Sequence, residues 1–294
     1  MNIAHYLFFG VTAILIALIG AFFALYWPLP MLTARAALGE SVLIERDGRT
    51  LEYYRAGEGP AVVLLASVGR EVSDFNELAA ALNAAGFKTL AVEGPGIGRA
   101  QAPAEPVTLW DLADDVATVV AAEGDEQVFV IGHAFGNRAA RAYAARHGAR
   151  GVVTLAAGGK VPIADKAMEA LLNCFKPWIS RSDRRDAVRY GFFAEGNPIP
   201  DYWMRGWHSG TLQIQAHATQ STPSEGWWDA GAAPLLVVQG LQDTIAPKEH
   251  TADLLKQDLG GRVTVVEIDR AGHALLPEQP DTISKAVIEF LKAH

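Results

Sequence analysis

The sequence predicts an α/β fold in which a mostly parallel sheet carries helices on both faces. Short apolar runs typical of buried strands alternate along the chain with longer stretches that have helical periodicity. Such alternation is typical of parallel strands joined by crossover helices. The chain has 294 residues and is 50% hydrophobic, so it is long enough to bury one sizeable core.

The first predicted element is an apolar segment, Tyr6–Trp27, that contains no Lys, Arg, Asp or Glu. As a helix it would be about 33 Å long, enough to cross a bilayer core, with Pro28 and Pro30 ending it. The alternative is a cleavable signal peptide with its site at residues 34–36, but no Lys or Arg precedes the apolar run. We therefore predict a transmembrane helix and linker over residues 1–37 and a membrane-anchored protein. The flanking charges do not settle which side of the membrane the rest of the chain occupies.

The elements that follow the anchor are predicted in a regular order. They are a hairpin, Ser41–Glu45 and Leu51–Arg55; strand Ala61–Leu65; a helix near Asp74–Ala85; strand Lys88–Val92; a helix near Leu109–Ala122; strand Gln127–Ile131; a helix from Gly136 to about His147; and strand Gly151–Leu155. About seventy residues then pass before the next strand, which is too long for a loop. We predict that residues 161–231 form a helical cap, here called the cap segment, inserted between core residues 38–160 and 232–294.

One motif carries most of the chemical information. Gly132-His133-Ala134-Phe135-Gly136 follows an apolar run and has the frame of a G-x-S-x-G nucleophile elbow, with Ala134 at the serine position. Asp243 stands in a turn after the apolar run 234–238, and His273 follows the predicted strand Val263–Ile268. Elbow, Asp and His in this order, each at the end of a predicted strand, indicate a catalytic triad whose nucleophile is missing.

These motifs resemble those of the α/β-hydrolase fold over about residues 40–294. Residues 92–100 are also similar to the family's D-x-P-G-x-G-x-S loop, although Glu93 and Ala100 replace its Asp and Ser. The resemblance implies an eight-stranded, mostly parallel sheet. It also implies acyl transfer, in which His273 takes a proton from the nucleophile and Asp243 orients the imidazole.

The resemblance further implies an oxyanion hole made by two backbone N–H groups, those of Phe135 and Val68. The family has a His-Gly pair where this chain has Ala66-Ser67-Val68-Gly69, here called the oxyanion loop. The Ser67 hydroxyl is a candidate to bind substrate or to replace the missing nucleophile, and loop solvation is the simpler interpretation.

The cap segment contains five of the chain's seven tryptophans. At least half of its aromatic side chains are expected to hold the cap segment to the core, and the others to line an apolar pocket. We expect Trp178, Trp203 and Trp207 to contribute to this pocket, which favours a small hydrophobic substrate.

Charge and composition exclude several other functions. The net charge of −8 argues against nucleic acid as a partner, because no basic stripe is available to neutralise phosphates. Cys174 is the only cysteine, so the chain forms no internal disulfide and no cysteine-based metal site. No spacing typical of metal ligands or of a cofactor-binding loop is present, so neither a metal nor a cofactor is expected. The sequence identifies neither the exact substrate nor the oligomeric state.

Three explanations of Ala134 remain at this point. A serine hydrolase acting on an ester or related bond could have had its nucleophile replaced by substitution. Alternatively, Ala134 is natural and His273 with Asp243 acts as a general base in a non-covalent hydrolase, lyase or isomerase. In the third explanation the chain is a catalytically silent protein that binds a ligand. We predict the hydrolase, with activity absent or much reduced in the chain as written.

Overall fold

The computed structural model describes residues 3–26 and 32–294, and within the first helix it describes side chains at positions 5 and 8–22. Its strands are β1 Glu40–Arg46, β2 Arg49–Ala56, β3 Ala61–Leu65, β4 Lys88–Val92, β5 Phe129–His133, β6 Gly151–Leu155, β7 Leu235–Gly240 and β8 Val263–Ile268. Its helices are α1 Ile3–Tyr26, α2 Asn76–Ala84, α3 Leu109–Ala122, α4 Gly136–His147, α5 Asp165–Phe175, α6 Arg181–Phe192, α7 Ser209–Gln220, α8 Ala252–Leu259 and α9 Pro280–Ala293.

The strands form one eight-stranded sheet in the order β1-β2-β4-β3-β5-β6-β7-β8. Strand β2 is antiparallel to both of its neighbours, and all the other pairs are parallel. The predicted mostly parallel sheet with eight strands is therefore confirmed. The central strands β3, β5, β6 and β7 are buried along their whole length, which explains their continuous apolar sequences.

Side chains from opposite faces of the sheet enter two hydrophobic clusters. Val63 and Val130 pack with residues of α3, α4 and α8, whereas Val62 and Ile131 pack with residues of α2 and α9. This division follows from the two-residue period of a strand. It places helices on both faces. Because β3 to β8 are parallel, their carboxyl ends share one edge of the sheet.

The predicted transmembrane helix was wrong. Among the residues that the structure describes, no helix is long and apolar enough to cross a membrane. The prediction used Tyr6–Trp27, but Trp27, Pro28 and Pro30 lie outside the described residues. The membrane-anchored localisation and the membrane as a partner rested on this helix and are withdrawn with it.

The cap segment contains α5, α6 and α7 and has an aromatic cluster of its own. Phe175, Phe192, Trp203 and Trp207 are buried there, and the four ring pairs in contact have centroids 5.1 to 5.8 Å apart. Residues from the core, including Ala274 and Ile245, join the same cluster. The cap segment therefore packs directly against the loops that follow β7 and β8.

Candidate active site

The elbow residue Ala134 lies between β5 and α4 in the left-handed region of backbone conformation, with φ of 48°. The turn is tight because its flanking residues have no side chains. A Cβ built on Gly132 would lie 2.3 Å from the carbonyl carbon of Gly136, and one built on Gly136 would lie 2.1 Å from the carbonyl oxygen of Leu65. Both contacts are far inside van der Waals separation, so each position accepts only glycine.

Two buried polar side chains support this turn from the side of α4. The Asn137 amide donates a hydrogen bond to the carbonyl oxygen of Ala134, and the Arg141 guanidinium donates to the Asn137 side-chain oxygen. Arg141 also donates to the carbonyl oxygen of Gly158, at 2.6 Å, and its guanidinium stacks on Trp228. The sequence alone does not predict this support, because a polar residue in the first turn of a helix is ordinarily a cap.

The predicted acid and base form a buried pair at the same edge of the sheet. Nδ1 of His273 lies 2.8 Å from Oδ2 and 3.1 Å from Oδ1 of Asp243. The Asp243 Oδ1 also accepts from the backbone N–H groups of Ile245 and Ala246, at 2.9 and 2.7 Å. A carboxylate fixed in this way sets the tautomer with a proton on Nδ1, which leaves Nε2 as the basic nitrogen. The Nε2 atom has no hydrogen-bond partner among the described residues.

A second histidine supports the loop that carries His273. Nε2 of His133 donates to the backbone carbonyl of His273 at 2.7 Å, and the Nδ1 atom of His133 is buried without a partner in the described part of the chain. Burial, together with the nearby His273, lowers the pKa of His133 to about 4. His133 is therefore neutral near pH 7 and positions the backbone of the loop.

The same loop is held to the cap segment by Glu278. Its carboxylate accepts from the backbone N–H of Gly272 at 2.8 Å and from that of Ala194, in the cap segment, at 2.7 Å. It also accepts from the Asn197 side chain at 2.8 Å. Burial raises the pKa of Glu278, although these hydrogen bonds act in the opposite direction. Its role was not predicted, because the groups it joins are far apart in the sequence.

The oxyanion loop follows β3 and contacts the cap segment. The Gly69 N–H donates to Oε1 of Gln215, in α7, at 2.7 Å, and the Gly69 carbonyl accepts from the His208 N–H at 2.8 Å. The N–H groups of Phe135 and Val68, the two predicted donors, form no backbone or side-chain hydrogen bonds within the described residues. Ser67 is 1% exposed, and its hydroxyl has no partner there either.

The three tryptophans predicted to line a pocket occupy different environments. Trp203 and Trp207 are fully buried, and the Arg70 guanidinium stacks on both rings at 4.5 Å. Trp178 is 64% exposed. Phe192, which the sequence did not single out, contacts the His273 ring edge to face, with centroids 5.6 Å apart. Its carbonyl oxygen also accepts from the N–H of Ala274 at 2.7 Å.

No group of three or more His, Cys, Asp or Glu side chains placed to hold a metal ion occurs within residues 3–26 and 32–294. Cys174 is buried, and burial raises the pKa of its thiol to about 12.

Comparisons with known proteins agree with the fold. A family model described as the alpha/beta hydrolase family matches residues 62–286. Naproxen esterase from Bacillus subtilis is similar in structure, with a TM-score of 0.74, 17% identity and coverage of 88% of this chain and 94% of that chain. An esterase from Exiguobacterium antarcticum has a TM-score of 0.72, 17% identity and coverage of 87% of this chain and 100% of that chain.

A membrane phospholipase A, described as a bacterial virulence factor, has a TM-score of 0.70, 21% identity and coverage of 86% of each chain. Identities this low show a shared fold. No curated protein matches the sequence significantly.

Proposed function

Because the chain belongs to the α/β-hydrolase family, we propose that it is a hydrolase built to cleave an ester or related bond in a small hydrophobic compound. The observation that carries the proposal is the buried His273–Asp243 pair, bonded at 2.8 Å, at the sheet edge where the elbow turns. An acid and a base held in this order beside a left-handed elbow residue are the machinery of acyl transfer.

Each group has a definite role in the proposed reaction. A hydroxyl at position 134 attacks the ester carbonyl, and Nε2 of His273 takes its proton and later gives it to the leaving group. Asp243 keeps the proton on Nδ1 and stabilises the imidazolium that forms. The N–H groups of Phe135 and Val68 donate to the oxyanion, and their lack of other acceptors within the described residues supports this role.

Ala134 removes the first of these steps, because its methyl side chain has no oxygen to attack or be acylated. The base, the acid and the oxyanion donors remain, and such a remnant retains a rate on the order of 10³-fold over water. We therefore propose that the chain as written is a hydrolase with little turnover, which can hold its substrate without forming an acyl-enzyme.

The test compares four full-length chains in the hydrolysis of short-chain aryl esters: the chain as written, Ala134→Ser, His273→Ala and the double variant. We expect Ala134→Ser to raise kcat by about 10³-fold or more, and His273→Ala to remove the increase. Ser67→Ala in the Ala134→Ser background is the matched control, because the gain should survive loss of the Ser67 hydroxyl. Equal rates with Ala and Ser at position 134 would contradict the proposal.

A second candidate is a non-covalent reaction in which His273 activates water or abstracts a substrate proton. The observation that favours it is the Nε2 atom of His273, which has no hydrogen-bond partner among the described residues. This nitrogen can therefore accept a proton directly from water or from a substrate. This candidate predicts turnover in the chain as written that His273→Ala abolishes. Absence of turnover in the chain as written, with a gain in Ala134→Ser, would exclude it.

A further inference from the structure

A cavity of about 50 Å³ lies beside the elbow and is not used by the reaction proposed above. Ala66 and Phe135, which flank the proposed oxyanion site, form part of its wall. Most of the remaining wall is apolar; it includes Leu65, Val92, Pro95, Leu112, Val116 and Ala139. An acyl chain whose carbonyl oxygen faces the N–H of Phe135 would therefore extend into this cavity.

Gln215 brings an unused donor to the cavity. The side chain is 5% exposed, and its Oε1 accepts from the N–H of Gly69 at 2.7 Å, which fixes the orientation of the amide. The Nε2 atom therefore points the other way, where a Cβ built on Gly94 would lie 3.6 Å from it. This NH₂ group has no hydrogen-bond acceptor among the described residues. Gln215 and Gly94 both line the cavity.

Glu93 brings a second polar group to the same wall. It is 9% exposed, and its Oε1 accepts from the N–H groups of Val72 and Gly94 at 3.3 and 3.2 Å. Its Oε2 forms no hydrogen bond within the described part of the chain. Burial, and then the nearby charge of Glu71, raises the pKa of Glu93 to about 8. At neutral pH the carboxyl group is therefore mostly protonated and is a donor.

The charges around the cavity do not suit an anionic ligand. The Arg70 guanidinium reaches the cavity but is paired with both carboxylate oxygens of Asp74, at 2.8 and 2.7 Å. Asp115, also in the wall, is paired with Arg46 and Arg49, and the Glu71 carboxylate lies near Glu93. The described wall thus offers two donors and an arginine that is already paired, which fits an uncharged oxygen, a hydroxyl or a carbonyl, better than a carboxylate.

We propose that Glu93 and Gln215 form the polar end of an acyl pocket, which selects a short acyl chain bearing a hydroxyl or keto oxygen over its alkyl isostere. The volume leaves room for about three or four non-hydrogen atoms beyond the ester carbonyl, since one water occupies roughly 10–15 Å³ by this measure. The inference rests on the proposed ester hydrolysis for the orientation of the acyl chain. The two donor groups, on Gln215 and Glu93, are present whether or not residue 134 carries a hydroxyl.

The first test measures binding, so it does not require turnover. Ethyl 3-hydroxybutanoate and ethyl 3-methylbutanoate have nearly the same shape, and the first has a hydroxyl group where the second has a methyl group. We expect the chain as written to bind the hydroxy ester about tenfold more tightly by calorimetry, since one satisfied hydrogen bond is worth up to about one factor of ten. Gln215→Met should lower the preference, because only the Glu93 donor then remains, and Gln213→Met, on the exposed face of the same helix, should keep it.

The second test measures kcat/KM for the aryl esters of the same two acids in the Ala134→Ser background. Glu93→Leu should lower the preference for the hydroxy ester, and Glu93→Gln should retain it, because an amide still offers a donor. Equal binding and equal kcat/KM for the two esters would overturn the acyl pocket and leave the hydrolase intact. If Ala134→Ser turns over neither ester, the proposed hydrolysis fails, and the binding ratio alone decides whether the polar site exists.

Discussion

At the scale of the single residue, the elbow does not depend on the identity of residue 134. Its φ of 48° is held by the glycines on either side and by the Asn137 amide on the Ala134 carbonyl. Alanine and serine share the same Cβ, so they meet the same backbone strain there. The loss of the hydroxyl therefore changes the chemistry and not the turn, which is why Ala134→Ser is a fair test of function.

The close approach at Gly136 leads to a stability prediction. Gly136→Ala would push a methyl group to within 2.1 Å of the Leu65 carbonyl oxygen, and neither backbone segment can move freely. We expect a loss of about 3 kcal/mol in the free energy of unfolding, measured in urea, as for other overpacked sites. Gly210→Ala is the control, because a Cβ at Gly210, in α7, meets nothing within 4 Å. A loss in the control as large as that in Gly136→Ala would refute this reading of the turn.

At the scale of the element, local pattern predicted the strands well. Ala61–Leu65, Lys88–Val92 and Gly151–Leu155 have the predicted bounds, because each is a short apolar run between turn residues. The fifth strand was predicted as Gln127–Ile131 but is Phe129–His133. Gly132 and His133 were assigned to the elbow, yet they continue the pairing with β6.

In the candidate site, too, only the residues marked by a local sequence pattern could be predicted. Ala134, Asp243 and His273 could be found because each follows a strand and the ends of parallel strands meet. Gln215 and Glu278 could not, because they act on backbone groups in distant segments and no local period marks them. The predicted membrane helix was wrong because it was inferred from an apolar run of sequence alone, and no described helix is long and apolar enough to cross a membrane.

The tryptophans of the cap segment give a prediction at this scale. Trp207 is fully buried against Arg70, Phe175 and Phe192, so Trp207→Ala should lower the free energy of unfolding by about 3–5 kcal/mol. Trp178→Ala removes a side chain that is 64% exposed and should change the free energy of unfolding by less than about 0.5 kcal/mol. Urea unfolding measures the free energy of unfolding of both variants. Equal losses would contradict the prediction that the buried Trp207 contributes more to stability than the exposed Trp178.

At the scale of the whole molecule, two buried groups of the core, Glu93 and His133, have shifted pKa values. Glu93 lies in the loop after β4 beside Glu71, which pairs with His208 of the cap segment at 2.9 Å. His133 lies under the loop after β8. Both Glu93 and His133 are held in their neutral forms by burial. The stability of the fold therefore depends on pH in two opposed ways.

The signs follow from proton linkage. Glu93 has its pKa raised from 4.5 to about 8, so the stability it contributes is complete below pH 4.5 and is lost as the pH rises through 8. His133 has its pKa lowered from 6.5 to about 4, so its contribution is complete above pH 6.5 and is lost as the pH falls through 4. Between pH 4.5 and 6.5, Glu93 lowers the stability as the pH rises while His133 increases it. Between pH 6.5 and 8, only the loss of stability from Glu93 remains.

Replacing Glu93 by Gln separates these contributions, because the amide keeps an oxygen for the N–H groups of Val72 and Gly94 but does not ionise. We expect the free energy of unfolding of Glu93→Gln, relative to the parent chain, to rise steadily from pH 5 to pH 8. Each unit of the raised pKa corresponds to about 1.4 kcal/mol as an upper value. Glu105→Gln, at an exposed position, should follow the parent curve. Parallel curves for the parent and Glu93→Gln would mean that Glu93 is already ionised in the folded chain, and the acyl pocket would then have one donor in place of two.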